Sequence, residues 1–139
     1  MASGTAEPPR GTTVRPPTPA EVRAGLPAEF LERLKDTLNV TDAQLASVVG
    51  IPRQTLVRRR VGGVLRRHEG DRAATVARVF NAALSYFDGN REHALEWLKH
   101  PHPALSGETP ETPLEHADTA TGATAVLDLI GRLEHGIPT

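Results

Sequence analysis

From residue 26 onward, apolar residues recur along the chain at helical spacing. Phe30, Leu31, Leu34 and Leu38 step by three and four. Pro27 ahead of them suits a first turn, where no amide hydrogen is needed. A second helix is announced by Thr41 and Gln44, which form a capping box, with Val40 and Leu45 as the apolar staple around it. Leu45, Val48 and Val49 then point inward, and Gly50 stops the run. A third helix starts at Pro52 and reaches about Arg60. After the Val61-Gly62-Gly63 break, the longest pattern runs from about Asp71 to Phe87, with Val76, Val79, Phe80, Ala83, Leu84 and Phe87 on one face.

Asp88-Gly89-Asn90 ends that helix. Ala94, Leu95 and Leu98 with Trp97 predict another, closing before Pro101. His100 to Glu111 reads as a Pro/Gly loop. Thr112-Pro113-Leu114-Glu115 opens a short helix with its own capping box, and Ala123, Val126, Leu127, Ile130 and Leu133 stripe a last helix from about Thr119 to Glu134. No segment alternates with a period of two, so the predicted class is all-α. Residues 1–25 differ in kind. Rich in Pro, Thr, Ala and Gly, they predict a disordered tail that buries too little apolar surface to fold.

The segment Asp42 to Arg60 has the layout of a helix-turn-helix. Ala46 is small where the helices cross, Gly50 sits at the turn, and Val49, Ile51 and Leu56 form the seam. In such a unit the early residues of the second helix meet base edges in the major groove, here Arg53, Gln54 and Thr55, with Arg58 on the same face. Arg59, Arg60, Arg66 and Arg67 are candidates for phosphates. Arg59 stands where an apolar residue is usual; its stem is expected to cover the core while its head reaches out. A helix pair that only packs or dimerises has the same outline.

Charge strengthens the division. The formal net charge of −1 hides eight arginines between Ile51 and Arg78 against Glu69 and Asp71, which is +6. From Val79 onward, Arg91, Lys99 and Arg132 face nine acidic residues, which is −6. A basic surface suits phosphate, an acidic one a protein, although solvated helix faces have the same composition. There is no cysteine, no signal-peptide core, and no stretch near the roughly 20 apolar residues that span a bilayer. A cytoplasmic protein with no membrane partner is expected. Enzyme readings find little support. His68, His93, His100, His102, His116 and His135 never pair at i, i+4, Gly62-Gly63 is not followed by the Lys-Ser/Thr of a phosphate loop, and Ser47, Ser85 and Ser106 lack a nucleophile context. No catalytic residue, metal site or cofactor is predicted.

The run Ile51-Pro52-Arg53-Gln54-Thr55-Leu56, then Arg58-Arg59-Arg60, Asp71-Arg72 and Ala77-Arg78-Val79, resembles the Xre/MbcA/ParS antitoxin family. So do Ala94-Leu95-Glu96-Trp97-Leu98, Pro103-Ala104-Leu105-Ser106-Gly107, Thr112-Pro113-Leu114, Asp118-Thr119, Gly122 and Leu129 through Gly136. The likeness runs from about Pro27 to Ile137. Two departures are a longer loop at Glu108 to Glu111 and Arg67-His68 in the basic loop. The resemblance implies a partner toxin with a RES domain, of ADP-ribosyltransferase-like fold and acting on NAD. It implies that the C-terminal helices cap that enzyme while the last residues obstruct its NAD pocket. It also implies operator DNA binding and repression of the chain's own operon.

On that reading Trp97, Arg132, Glu134, His135, Gly136, Ile137 and Pro138 touch the toxin; a core tryptophan and a frayed terminus are the alternatives. The expected organisation is a tail over 1–25, a helix-turn-helix domain over 26–70 and a toxin-binding and dimerisation domain over 71–139. A homodimer suits a palindromic operator, with Phe80, Leu84 and Phe87 as candidate seam residues. A stand-alone transcriptional regulator without a toxin, or a pure interaction module, would carry many of the same features.

Overall fold

The computed structural model describes residues 14–59, 62–105 and 111–136. These residues form α1 (Pro19–Ala24), α2 (Glu29–Leu38), α3 (Asp42–Val49), α4 (Arg53–Arg59), α5 (Arg67–Tyr86), α6 (Arg91–Leu98), a 3₁₀ turn at Pro103–Leu105, α7 (Pro113–His116) and α8 (Ala120–Glu134). Among them there is no strand; Pro27 and Val64 make one isolated antiparallel bridge. The class is all-α, as the periodicity predicts. Arg60, the Glu108–Pro110 part of the lengthened loop, Ile137 and Pro138 lie outside the described residues.

α5 is the axis of the molecule. α1, α2 and α3 pack on it from the N-terminal side and α6 and α8 from the C-terminal side, and its Ala73, Val76, Ala77, Val79, Phe80 and Ala83 are fully buried. The helix begins at Arg67, one turn before the predicted Asp71. Glu69 at its third position accepts the Arg66 amide at 2.8 Å and so closes the first turn. The expected boundary at residues 70 and 71 falls inside this helix. Phe80 (0 % exposed) and Leu84 (8 %) fill the chain's own core, which corrects their assignment to a dimer seam. A side chain already enclosed by α5's neighbours has no surface left for a second copy. Phe87 is half-buried.

The tail is the largest correction. Residues 14–25 are folded. Thr18 and Glu21 form a capping box and Pro19 occupies the first helical turn, so α1 has a complete start signal inside a proline-rich stretch. Val14, Val22 and Leu26 are buried, and the Asn81 side-chain amide on α5 donates to the Val14 carbonyl at 2.7 Å. Composition argues for disorder only where no apolar side chain finds a partner; here three do.

Cations tie the halves together. The Arg72 guanidinium on α5 donates to Val48 O at 3.3 Å in the last turn of α3, to Ala117 O at 3.3 Å, and to Asp118 O in the turn between α7 and α8. At the start of α6, Arg91 donates to Thr37 O at 3.1 Å and Asp36 O at 2.8 Å, and Lys99 reaches Asn39 O at 2.8 Å. These carbonyls belong to helix C-termini, where positive charge is favoured. Burial, together with nearby Arg91, holds the Lys99 ammonium below its ordinary pKa. No described helix is long and apolar enough to cross a membrane.

Candidate functional sites

The helix-turn-helix forms as the sequence pattern predicts. Thr41 accepts from the Gln44 amide at 3.1 Å while Gln44 Oε1 accepts from the Thr41 amide at 2.9 Å. Gly50 then closes α3 with φ +68°, a left-handed turn that glycine adopts without strain. The Ile51 amide returns to Ala46 O at 3.0 Å, and α4 leaves with Leu56 as its one fully buried residue.

At about 100° per residue, Gln54 and Arg58 lie within about 20° of the side of α4 opposite Leu56, with Val57 about 100° and Arg53 about 60° from Leu56 itself, and all four are exposed; Thr55 is half-buried at the edge. The structure therefore brings the predicted base-reading residues onto one solvent-facing surface. Among the described residues, Arg53 and Arg58 have no side-chain partner. Val57 was missed by sequence reasoning. At 43 % exposure it is, among the described residues, one of two large hydrophobic residues left open, Val64 being the other at 59 %. Its signal was positional, three residues after Gln54 and four after Arg53.

Arg59 departs from expectation. Its Nε lies 3.1 Å from Glu69 Oε1 and its Nη2 3.4 Å from Oε2, with side chains only 17 % and 5 % exposed. The head points inward and is occupied, because a buried carboxylate holds it in a two-pronged grip. Arg59 thus fastens the last turn of α4 to the first turn of α5. Burial alone pushes the Glu69 carboxyl up, but the Arg59 hydrogen bond, the Arg66 amide and the Arg59 and His68 charges outweigh it, so its pKa sits below the ordinary carboxylate value. Arg66 and Arg67 are exposed at the start of α5.

In the C-terminal half, Asn90 caps α6, Thr112 caps α7 through Glu115, and Thr119 caps α8 by accepting from Gly122. Gly122 is buried so tightly against α7 that an added Cβ would lie 1.8 Å from His116 O. α8 buries Ala123, Val126, Leu129 and Ile130. Its outer face exposes Ala120, Thr121, Thr124 and Asp128, and at its end Arg132, Glu134, His135 and Gly136 are exposed, the first three with no side-chain partner among the described residues. Trp97 is half-buried. Its ring centroid stands 5.9 Å from that of His102, and with Phe87, His93, Glu96 and His100 it lines an open groove of about 480 Å³. The tryptophan is neither fully core nor free, and it is half a wall of a surface hollow. No group of three metal-binding side chains gathers among the described residues.

Comparison with known proteins divides the chain at the same place as its charge. Residues 19–78 match the family model of the antitoxin Xre-like helix-turn-helix domain. Residues 82–136 match that of the antitoxin Xre/MbcA/ParS C-terminal toxin-binding domain. A protein of Yersinia enterocolitica named Antitoxin Xre is 34 % identical over 117 residues, covering 84 % of this chain and 77 % of that one. Another so named, from Photorhabdus laumondii, is 34 % identical over 119 residues, covering 85 % and 78 %.

Proposed function

The chain belongs to the Xre antitoxin family, and from that premise we propose that it neutralises a RES-domain toxin and represses its own operon. The observation that carries this reading is the union, in one chain, of a helix-turn-helix with an open basic face and a C-terminal half matching a toxin-binding domain.

The toxin uses NAD, and the C-terminal half covers its cleft. The end of α8, Arg132 to Gly136, with Ile137 and Pro138 beyond it, enters the NAD pocket; the Trp97 groove supports the rim. An end whose polar groups have no internal partner gives up little on docking. On the other side, two copies place two α4 helices in successive major grooves. Arg53, Gln54 and Arg58 read base edges, Thr55 borders them, and Arg60, Arg66 and Arg67 hold phosphates. Val57 meets a thymine methyl. Arg59 belongs to the frame.

Co-expression with the adjacent RES protein tests the reading. A stable complex with NAD turnover abolished is expected, and removal of the residues after Leu133 restores turnover without dissolving the fold. Full turnover in the intact complex would overturn neutralisation. A genome neighbourhood with no such enzyme, together with tight operator binding, would leave a stand-alone regulator.

A further inference from the structure

Cations in this molecule fall into two groups. Arg15 is held by Glu21 at 2.8 Å, Lys35 by Asp42 at 3.4 Å and Arg59 by Glu69 at 3.1 Å. Arg72, Arg91 and Lys99 are spent on helix carbonyls. Arg53, Arg58 and Arg132 are outside that set; so are Arg23, Arg67 and Arg78, which differ from them in position. They are exposed, and they line one groove of about 420 Å³ between α1 and α5, floored by Pro17 and Val22. Among the described residues Arg23 and Arg67 have no side-chain partner, and Arg78 donates only to the neutral Thr75 hydroxyl at 3.0 Å. The single acid in the groove, Asp71, has no ion pair there.

The placement is directional. At about 100° per residue, Arg67, Asp71 and Arg78 fall within roughly 40° of one another on α5, and Arg67 and Arg78 are separated by about 16 Å at 1.5 Å per residue. Arg23 faces them from α1. The row starts where α4 ends, because the Arg59–Glu69 pair clamps α4's last turn to α5's first. Three exposed cations around one carboxylate make a net positive strip that an extended polyanion complements. A distance of about 16 Å corresponds to roughly five rises of 3.4 Å along the duplex axis.

We propose that the α1–α5 groove is a phosphate track that holds the DNA backbone outside the base-read half-site, with Arg23 and Arg78 as its new members. Residues 14–25 are then part of the DNA-binding body. The inference rests on the operator-binding reading above and extends its footprint beyond α4.

The test uses the full-length chain, its operator duplex with natural flanks, and the same duplex trimmed to the palindrome. Binding is measured across a salt series for wild type, the double variant R23A/R78A and R53A. With two copies on the operator, R23A/R78A removes four phosphate contacts, so it should lower the slope of log K against log salt by about 4 and weaken binding on the order of 1,000-fold at 0.15 M salt. The loss should be equal on operator and scrambled sequence, and absent on the trimmed duplex. R53A should instead relax base preference. Both arginines are exposed, so wild-type melting of the double variant is the control for folding. A double variant with the wild-type slope overturns the track while leaving operator binding intact. A wild-type chain that binds no duplex overturns the operator reading itself, and the track with it.

Discussion

α4 and α8 both present residues to a partner on the proposed reading, and they are built in opposite ways. α4 has seven residues and buries only Leu56 fully, leaving Arg53, Gln54, Val57 and Arg58 in solvent along its length. α8 has fifteen, is capped by Thr119, and commits Gly122, Ala123, Val126, Leu129 and Ile130 to the core; its outer face carries the small or short Ala120, Thr121, Thr124 and Asp128, and the residues proposed to meet the toxin stand at its end. One helix offers a face and the other an end. Substitutions along α4 should therefore change binding with little change in stability. Substitutions in the body of α8 should do the reverse.

The strongest attempt to break that contrast is Gly122→Ala. The new methyl carbon would overlap His116 O, and a backbone carbonyl capping a short helix cannot swing aside as a side chain would. A loss of about 3 kcal/mol, the upper part of the overpacking range, is expected from urea denaturation. Arg58→Ala in the same assay should stay within about 0.5 kcal/mol of wild type. Equal midpoints for the two variants would mean that α7 and α8 do not meet as closely as described.

Arg72→Met comes next. Its guanidinium serves three carbonyls, on α3 and on the α7–α8 turn. Charge-assisted bonds of this kind put the loss at about 2 kcal/mol. Because the same side chain lies in the helix-turn-helix segment and grips the C-terminal one, wild type should unfold in a single calorimetric transition. Two transitions in wild type would show that the open face and the open end ride on separable bodies.

What could be seen in advance follows the range of the interactions. Thr41/Gln44 and Thr112/Glu115 are caps between residues three apart, and α3 and α7 begin where those pairs predict. The same local signal stands at Thr18/Glu21, inside a proline-rich stretch whose composition alone points to disorder. The face of α4 was legible because burial of Leu56 and exposure of Gln54 and Arg58, on opposite sides of the helix, follow from period alone. Interactions between elements were not. Arg59 finds Glu69 ten residues away on another helix, and no spacing rule announces that pairing. Phe80 and Leu84 looked surplus on one helix face because α6 and α8, which cover α5 from the C-terminal side, are not visible in a single helix's pattern.

A smaller effect separates Arg59 from its neighbours on α4. Glu69 is held below its ordinary pKa of 4.5 in the folded chain, so its ionised form stabilises the fold. That contribution is complete above about 4.5, the unfolded value, and is lost as pH falls through the lower folded value. Glu69→Gln should cost about 1.5 kcal/mol at pH 7. The gap in melting temperature between wild type and Glu69→Gln should narrow as pH drops below about 4.5. A gap that is constant from pH 7 to pH 3 would place Arg59 with the outward cations after all.

The finest distinction lies within the open face itself, between residues that donate hydrogen bonds and the one that cannot. Val57 sits between Arg53 and Gln54 in angle and one turn further along, with 43 % of its surface exposed, where the apolar group available in a major groove is the thymine methyl. Val57→Ala should shift the melting temperature little, since Val57 is outside the buried core. It should weaken operator binding by roughly fourfold per half-site, the value of about 0.8 kcal/mol for the one of its two methyls that meets the thymine. Replacing the facing thymine by deoxyuridine should cost wild type the same factor. In the variant that replacement should cost almost nothing, because the methyl has already lost its neighbour; the two changes are then coupled rather than additive. Full additivity would remove Val57 from the base-reading surface. A weakened dimer in Val57→Ala would assign it instead to the contact between copies, and α4 would then divide its face between DNA and a second chain.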